Sequence, residues 1–461
     1  MITLYRPANY TAPRASEFIG RSIDTKPVDV ENGSVYTELD TGRIYRFDAE
    51  NKVWIEQQGN PSTNVTVEPI TITSNGTTTA PTGKAYSPIT VNVPTSGTSS
   101  GDLGDITFYD YDGTIVTSWS LAELATKTAL PDFPTHDGLT CQGWNWSLED
   151  LKTTNRRMNV GATYIPTDGS TRIHIRLEEG RTSPILGVCP NGTVTVDWGD
   201  GTATTTLTGT DTTVVQYTPT HNYATPGDYI IKLTVDGEFG LYSKSNDICI
   251  LKNVETVNNS NHVYTSAIRQ INFGNGITSI STYGCADLYN LEYVSFPSSL
   301  TATNLYAFQR CYNLKFIVFP EGMTTVMNLS FNFCPSLAGI SFPTGITTIM
   351  NSAFNNCYGL RTVTFPPTLT SIKDSAFSAC YSLSSIDFPP NLSMRTSSTF
   401  QSCYGVKYYD FTRYTSVPAL YAVNVFNHIA SDCEIRVPAS LVDEWKAATN
   451  WATYADHIVG V

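Results

Sequence analysis

The C-terminal half of the chain repeats with a period of 23 residues, and this regularity limits the possible folds more than any other feature. A cysteine recurs at that interval, and so do two phenylalanine positions. A period of this length without gaps predicts a solenoid, in which stacked coils bury a core that no single coil can bury alone. The repeated residues are Cys311, Cys334, Cys357, Cys380 and Cys403, Phe308, Phe331, Phe354, Phe377 and Phe400, and Phe273, Phe296, Phe319, Phe342, Phe365, Phe388 and Phe411.

Most coils contain the motif LxxIxFP, which predicts a short strand ended by proline. In the coil of Leu314, Ile317 and Phe319 lie two positions apart and point to one side of the strand, and Pro320 ends it. We expect the strands of successive coils to stack at about 4.8 Å. The cysteines lack the close CxxC or CxxH spacing of metal ligands, so they are interpreted as small buried thiols and no metal site is predicted.

This pattern resembles the BspA-type leucine-rich repeats that many bacterial and bacteriophage surface proteins carry. The resemblance covers residues 264–461, and we expect the repeats to occupy residues 241–432. The tail, residues 433–461, resembles the closing segment of those proteins, a final strand followed by an amphipathic helix. A cap is physically required there because a terminal coil exposes the edge of its core.

The outward positions of the strands vary from coil to coil, whereas the inward positions do not. A constant scaffold with a varying face is what a recognition surface needs, so we expect this face to bind a host-surface glycan or protein. A tyrosine ladder follows the cysteine position and has two interpretations, packing between coils or a strip for sugar rings. The candidate binding residues are Tyr293, Phe316, Thr362, Asp387 and Tyr408 on the strands and Tyr312, Tyr358 and Tyr381 in the ladder.

Residues 190–240 contain VDWGDG followed by HxYxxPGxY. VTVDW and YIIKLTV alternate as strands, and GDG supplies a hairpin turn. The combination resembles a PKD-type immunoglobulin-like sandwich, a module that usually serves as a spacer or adhesive unit. Asp197, Asp200 and His221 allow a metal or acid/base hypothesis, but the aspartates are better explained as fixing the turn through hydrogen bonds to the backbone.

Residues 104–189 mix helix and strand signals and predict an α+β spacer domain. Ser120 and Ser147 are candidate helix N-caps, and TRIHIRLEE alternates as a strand. The segment closely resembles one that precedes the PKD-like module in phage and prophage proteins of gut Firmicutes. Four carboxylates permit a glycosidase hypothesis, which needs a separation of about 5–10 Å that sequence spacing cannot establish. They are Asp110, Asp112, Glu178 and Glu179.

Residues 1–60 contain two or three alternating strands and resemble a short N-terminal module of phage virion proteins, where such modules attach a fibre or appendage to the particle. So small a module buries too little core to be stable alone, so a partner or oligomer is expected to complete it. Residues 61–103 are rich in Thr, Ser, Pro and Gly and predict a linker or a small β unit. The expected apolar, virion-attachment face is Tyr36, Tyr45, Phe47 and Trp54.

Charge argues against two classes of partner. The chain has 41 acidic and 28 basic residues, a formal net charge of −13, and no Lys/Arg-rich run. Nucleic acids and anionic membranes both need a cationic surface, so neither is an expected partner. The N-terminus lacks the features of a secretory signal and no window approaches the ~20 apolar residues of a membrane span, so we expect synthesis in a bacterial host cytoplasm and a place in the virion.

The sequence therefore predicts a mainly β, multidomain phage structural protein, with no catalytic residue and no cofactor. Its expected partners are portal, tail or capsid proteins at the N-terminus and a host-surface glycan or protein at the repeats. One alternative is a bacterial cell-surface adhesin of the BspA type, and another is a carbohydrate-active enzyme with a repeat binding domain. A homo-oligomer such as a trimer stays open, with contacts expected in residues 1–100.

Overall fold

The computed structural model divides into two compact units, Met1–Asp102 and Leu103–Val461. The predicted linker, residues 61–103, lies outside the described residues. Those are the strands at 3–4, 17–20, 35–38, 44–48 and 53–56, and then residues 105–154, 156–179, 182–210, 216–240, 251–253, 267–280, 282–390, 392–393 and 396–461.

The described strands of the first unit form one five-stranded sheet in chain order. Strands β2 and β3 are parallel, and the other neighbours are antiparallel. Tyr36 lies opposite Tyr45 and Phe47 lies opposite Trp54, so the four positions of the predicted apolar face share one side of the pleat. The strands are β1 (Thr3–Leu4), β2 (Glu17–Gly20), β3 (Val35–Glu38), β4 (Ile44–Asp48) and β5 (Val53–Glu56).

The second unit begins with a four-stranded sheet in the order β7-β6-β9-β8, covered on one side by two short helices. We call residues 105–166 the docked domain. Ser120 caps the first helix as predicted, because its hydroxyl accepts the Glu123 N–H at 3.1 Å and the Glu123 carboxylate accepts the Ser120 N–H. The elements are β6 (Ile106–Tyr109), β7 (Ile115–Trp119), α1 (Leu121–Thr126), β8 (Leu139–Trp144), α2 (Leu148–Thr154) and β9 (Met158–Pro166).

A second sheet joins the segment that contains VDWGDG to the solenoid. Its order is β12-β11-β14-β10-β16-β18, and β13 and β15 pair with β11. The TRIHIRL strand, β10, lies between β14 and the first solenoid strand, β16. The elements are β10 (Thr171–Leu177), β11 (Pro184–Asp197), β12 (Thr205–Thr210), β13 (Gln216–Tyr217), β14 (Gly227–Gly240), β15 (Leu251–Asn253) and β16 (Ile268–Asn272).

The C-terminal region is the predicted solenoid with coils of about 23 residues. Each coil has a strand side, which we call the strand face, a second side with shorter strands, and a turn segment. The strand-face strands are β16, β18 (Tyr293–Ser295), β20 (Phe316–Val318), β22 (Gly339–Ser341), β25 (Ser385–Asp387), β26 (Tyr408–Asp410) and β27 (Glu434–Val437). The second side has β17 (Ser279–Ile280), β19 (Ala302–Thr303), β21 (Thr325–Val326), β23 (Thr348–Ile349) and β24 (Ser371–Ile372).

Both phenylalanine ladders stack through the interior of the solenoid. The rings of Phe308 and Phe331 lie 5.2 Å apart at an interplanar angle of 3°, and those of Phe319 and Phe342 lie 5.6 Å apart at 7°. All four side chains are fully buried. Identical residues at a fixed interval thus produce the continuous core that the repeat predicts.

The turn segments close six of the coils with two residues in the left-handed region. In one coil these are Tyr306, with φ of 60°, and Arg310, with φ of 59°. Alternate N–H groups of each segment donate to the next coil, as Phe308 N does to Ser330 O at 2.7 Å. This side of the solenoid is therefore also held by hydrogen bonds between coils.

The last coil is closed by the predicted cap, in which a strand and a helix follow the repeats. Trp445 and Trp451 are fully buried and lie against Phe411, so the cap covers the exposed end of the core. Among the described residues, no helix has the length and apolar character to cross a bilayer. The cap elements are β27, a 3-10 helix (Ala439–Leu441), α3 (Val442–Ala447), a second 3-10 helix (Trp451–His457) and β28 (Ile458–Gly460).

Candidate binding surfaces

The strand face of the solenoid is covered by the docked domain. Side chains of β9 alternate, so that Met158 and Val160 join the domain's own core while Asn159 and Gly161 face the solenoid. A Cβ placed on Gly161 would lie 2.4 Å from a methyl group of Val318, so only glycine permits this approach. The two sheets are therefore in direct contact.

Polar side chains buried between the two layers fix the position of the docked domain. The Asn145 side-chain amide donates to Phe319 O at 2.9 Å and to the Ser341 hydroxyl at 3.0 Å. The Trp146 indole donates to Phe342 O at 2.7 Å, and the Ser341 hydroxyl donates to Asn159 O at 2.7 Å. Because these groups are buried, each bond prevents an unsatisfied polar atom.

An ion pair holds a third point of this contact. Arg156, with 3% of its side chain exposed, lies 3.2 Å from a carboxylate oxygen of Asp387 and donates to Asp387 O at 2.9 Å. Burial raises the pKa of Asp387, while Arg156 and Arg413 act to lower it. Burial also lowers the pKa of Arg156, while the neighbouring Asp387 carboxylate acts to raise it.

Four of the five candidate residues on the strands have partners in the docked domain. Phe316 is 4% exposed and stacks on Tyr109 with ring centroids 4.7 Å apart. Tyr293 packs against the apolar core of the docked domain, and the Thr362 hydroxyl accepts from the Asn159 amide at 3.5 Å. Asp387 binds Arg156 as described above. These positions vary between coils because each meets a different part of one asymmetric partner, which is the chain itself.

Tyr408 lies further along the solenoid and has a different environment. Its ring is half-buried, and the Arg436 guanidinium of the next coil lies 3.9 Å from the ring centroid. A cation over an aromatic face is favourable and fixes the tyrosine rotamer. The ring edge of Tyr408 is therefore held in one orientation at the C-terminal end of the strand face.

The tyrosine ladder is stacked ring on ring and half-buried. Centroids of Tyr358 and Tyr381 lie 4.9 Å apart at 5°, and those of Tyr289 and Tyr312 lie 5.0 Å apart at 19°. Parallel rings at this distance cover each other's faces, which supports packing between coils. The ring faces that lie against each other in this way are not available to a sugar.

The VDWGDG and HxYxxPGxY residues form an aromatic and polar cluster. The Trp198 indole stacks on the His221 ring at 4.5 Å and 3°, and the Tyr223 hydroxyl donates to Trp198 O at 2.7 Å. Asp200 lies 2.8 Å from His221 and accepts from Thr202, and Asp197 accepts from Gly199 N at 2.9 Å. These bonds fix the turn, as the sequence analysis favours.

The carboxylates of the glycosidase hypothesis are engaged separately. Asp110 is buried against His136 at 2.8 Å, and burial raises its pKa, whereas Asp112 accepts Thr114 N at 2.8 Å. Glu178 and Glu179 follow β10, outside the docked domain. No group of His, Cys, Asp and Glu within the described part of the chain is arranged to hold a metal ion. Nothing in the sequence links Asp110 to His136, which lies 26 residues away.

Comparison with known proteins identifies the repeats. A family model described as "BspA type Leucine rich repeat region" matches six copies, over residues 236–358 and 324–418. The C-terminal region therefore consists of BspA-type leucine-rich repeats, as the sequence predicts. The matched family is a repeat family, and no catalytic family is indicated. A search of curated proteins found no match.

Several solved structures resemble parts of the chain. A leucine-rich repeat protein of T. pallidum is 28% identical, with a TM-score of 0.29, over 30% of this chain and 66% of that one. One from Bacteroides ovatus is 20% identical, with a TM-score of 0.30, over 36% of this chain and 43% of that one. A leucine rich cell surface protein of Faecalibacterium prausnitzii is 18% identical, with a TM-score of 0.21, over 39% of this chain and 70% of that one. The chain thus spans less than two thirds of the first two proteins.

Proposed function

We propose that the protein is a non-enzymatic adhesion protein that contacts a cell surface through its repeat domain. The observation that carries this proposal is the run of BspA-type repeats, a type found in many bacterial and phage surface proteins. A stiff solenoid with a continuous core presents a row of side chains at fixed spacing, which suits contact with an extended partner. The surfaces proposed for contact are the turn edges, with the tyrosine ladder, and Tyr408, because the docked domain covers most of the strand face.

Within this function, we propose that the protein is a fibre or appendage of a phage virion. Residues 1–60 would attach it to a portal, tail or capsid protein through the sheet side that carries Tyr36, Tyr45, Phe47 and Trp54. The strand register places the four aromatic positions on one side of a small sheet, which would suit burial by a partner. A bacterial cell-surface adhesin is the second candidate, because the same repeat family supports it equally.

Adhesion is tested by retention of the fluorescently labelled full-length chain on intact cells of a panel of gut Firmicutes. We expect saturable retention on at least one strain, reduced by excess unlabelled protein. A matched preparation of the same chain unfolded by heat serves as the control for nonspecific adsorption. Absence of saturable retention on every strain would contradict adhesion.

The location is tested separately with an antibody against residues 105–461. Electron microscopy of particles released by lysis is expected to show gold label on the virions, and cryo-EM density for residues 1–60 would name the attachment point. Label confined to the bacterial envelope would instead favour the bacterial adhesin.

A further inference from the structure

Two turn-edge positions of the first two coils carry residues that the other described coils lack. The coils of Ser352, Ser375 and Ser398 have serine at the first position and a small or polar residue at the second, and the third coil has Leu329 and Phe333 there. A tyrosine follows two residues after the second position in most coils, as Tyr358 does. The first two coils instead carry a set that we call the tyrosine–arginine cluster. Its members are Tyr283, Asp287 and Tyr289 in the first coil and Tyr306, Arg310 and Tyr312 in the second.

The cluster is rigid and half-exposed. Tyr283 stacks on Tyr306 at 4.5 Å and 9°, next to the stacked pair of Tyr289 and Tyr312. Arg310 donates through Nε and Nη2 to both carboxylate oxygens of Asp287. The Asp287 side chain is 2% exposed and that of Arg310 is 40% exposed, so the outer side of the guanidinium meets solvent beside the phenol groups.

The fold does not require these residues. Ser352 and Asn356 adopt φ of 54° and 62° at the matching positions, so a coil closes with small polar side chains there. Tyrosine and arginine in the left-handed region cost more than serine or asparagine, and they are nevertheless present in adjacent coils. Leu329 and Phe333 close the third coil at the same positions, with φ of 57° and 58°, so closure of a coil needs no polar group there. The phenol and guanidinium groups of the first two coils therefore point to a role outside folding.

We propose that the tyrosine–arginine cluster is a binding site for a neutral glycan; this inference rests on the proposed adhesive function. Phenol hydroxyls both donate and accept hydrogen bonds, and the guanidinium adds donors from Nη1 that Asp287 does not use. The stacked rings and the ion pair fix these groups before binding, which lowers the entropic cost of association.

The charge balance of the cluster and of the chain favours a neutral saccharide over an acidic one. Arg310 is neutralised by Asp287, and the chain carries a formal charge of −13, so the site has no uncompensated cation to attract an acidic polymer. An uncharged ligand rich in hydroxyl groups can pair with these donors and acceptors without repulsion from the negatively charged chain.

The test measures binding of the full-length chain to cellotetraose, maltotetraose and chitotetraose, with tetragalacturonate as the acidic comparison, by titration calorimetry. The double variant Tyr283→Ser, Tyr306→Ser installs the residue that the coils of Ser352, Ser375 and Ser398 carry and is expected to weaken binding of the preferred neutral probe at least tenfold. The variant Tyr283→Phe, Tyr306→Phe keeps the stacked rings and removes only the hydroxyls, so a loss there excludes misfolding as the cause. Tyr421→Ser, at an exposed tyrosine of the last coil, is the matched control and should bind like the parent chain.

Two results would overturn the inference while leaving adhesion intact. One is cell retention by the parent chain with no binding to any neutral probe. The other is unchanged probe affinity in both double variants. Failure of the parent chain to be retained on any cell would instead overturn the proposed function itself.

Discussion

The buried cysteines of the repeat act as hydrogen-bond donors as well as small core residues. The Cys357 thiol donates to Phe331 O of the preceding coil at 3.2 Å, and the Cys334 and Cys380 thiols make equivalent bonds. Burial raises the pKa of Cys357 to about 12, so the thiol keeps its proton at neutral pH. The repeat spacing predicts burial of the cysteines but not this bond, because it depends on the carbonyl direction in the turn segment.

Replacing Cys357 tests the role of the thiol proton. Cys357→Ala leaves the Phe331 carbonyl without its donor and opens a small void, and we expect the free energy of unfolding to fall by about 1–3 kcal/mol. Cys357→Ser retains a donor and should lose less. Urea unfolding of both variants measures the difference, and a serine variant no more stable than the alanine variant would show that the hydrogen bond makes no net contribution.

Asp168 is expected to make stability depend on pH in the acid range. Burial works to raise its pKa, but hydrogen bonds from Ser170 and Arg172 lower it to about 2, from an ordinary 3.8. A depressed folded-state pKa gives stability that is present above the unfolded value and is lost as pH falls from about 4 towards 2.

The measurement compares the parent chain with Asp168→Asn. Because the Asp168 side chain is 42% exposed, solvent screening limits the expected advantage of the parent at pH 7 to about 1 kcal/mol or less. That advantage should shrink as the pH falls from 4 to 2. A difference in unfolding free energy that stays constant from pH 7 to pH 2 would exclude this linkage.

Strand β9 explains why the docked domain has two different faces. One set of its alternate residues is apolar and joins the core beneath the helices, and the other set is small or polar and meets the solenoid. A strand buried on both faces is visible in the sequence as MNVGATYIP, but the identity of the second layer is not. Asn145 and Ser341 are 196 residues apart, and no local pattern records their contact.

Variation at the outward strand positions cannot by itself name a partner. Whether the partner is an external ligand or a domain of the same chain, each coil contacts a different part of it and so needs different outward residues. The inward positions were predictable, because every coil meets an identical neighbour and so needs identical residues. The strand and helix of the cap could be expected for a different reason, because an exposed core edge must be covered.

Enlarging Gly161 should disturb the contact between β9 and the solenoid, and a second substitution in the solenoid should restore it. Gly161→Ala places a Cβ within 2.4 Å of a Val318 methyl group, and we expect a loss of about 1–3 kcal/mol of unfolding free energy. Val318→Ala removes those methyl groups, so the double variant should be more stable than the sum of the single effects predicts. Additive losses in urea unfolding would mean that the two residues are not in contact.

Residues 105–166 and the solenoid form one structural unit and are not two domains joined only through the chain. Their contact uses buried hydrogen bonds and a buried ion pair, all of which are lost together if the sheets separate. Polar contacts of this kind specify one docking position, since any shift leaves several buried groups without partners. Opening of the docked domain should therefore also expose the middle coils of the solenoid.

Asn145→Ala tests this coupling, because the substitution lies in the docked domain and its effect is read in the solenoid. Loss of the amide leaves Phe319 O and Gly161 N without partners, at a cost of about 1–3 kcal/mol each when buried. Hydrogen exchange should accelerate in peptides that cover β9 and in peptides that cover β20 and β22, whereas the cap strands β27 and β28 should be unaffected. Glu149→Ala, on the exposed side of α2, is the matched control and should change neither region. Faster exchange confined to residues 105–166 would show that the solenoid keeps its strand face protected without the docked domain, and the two would then be independent.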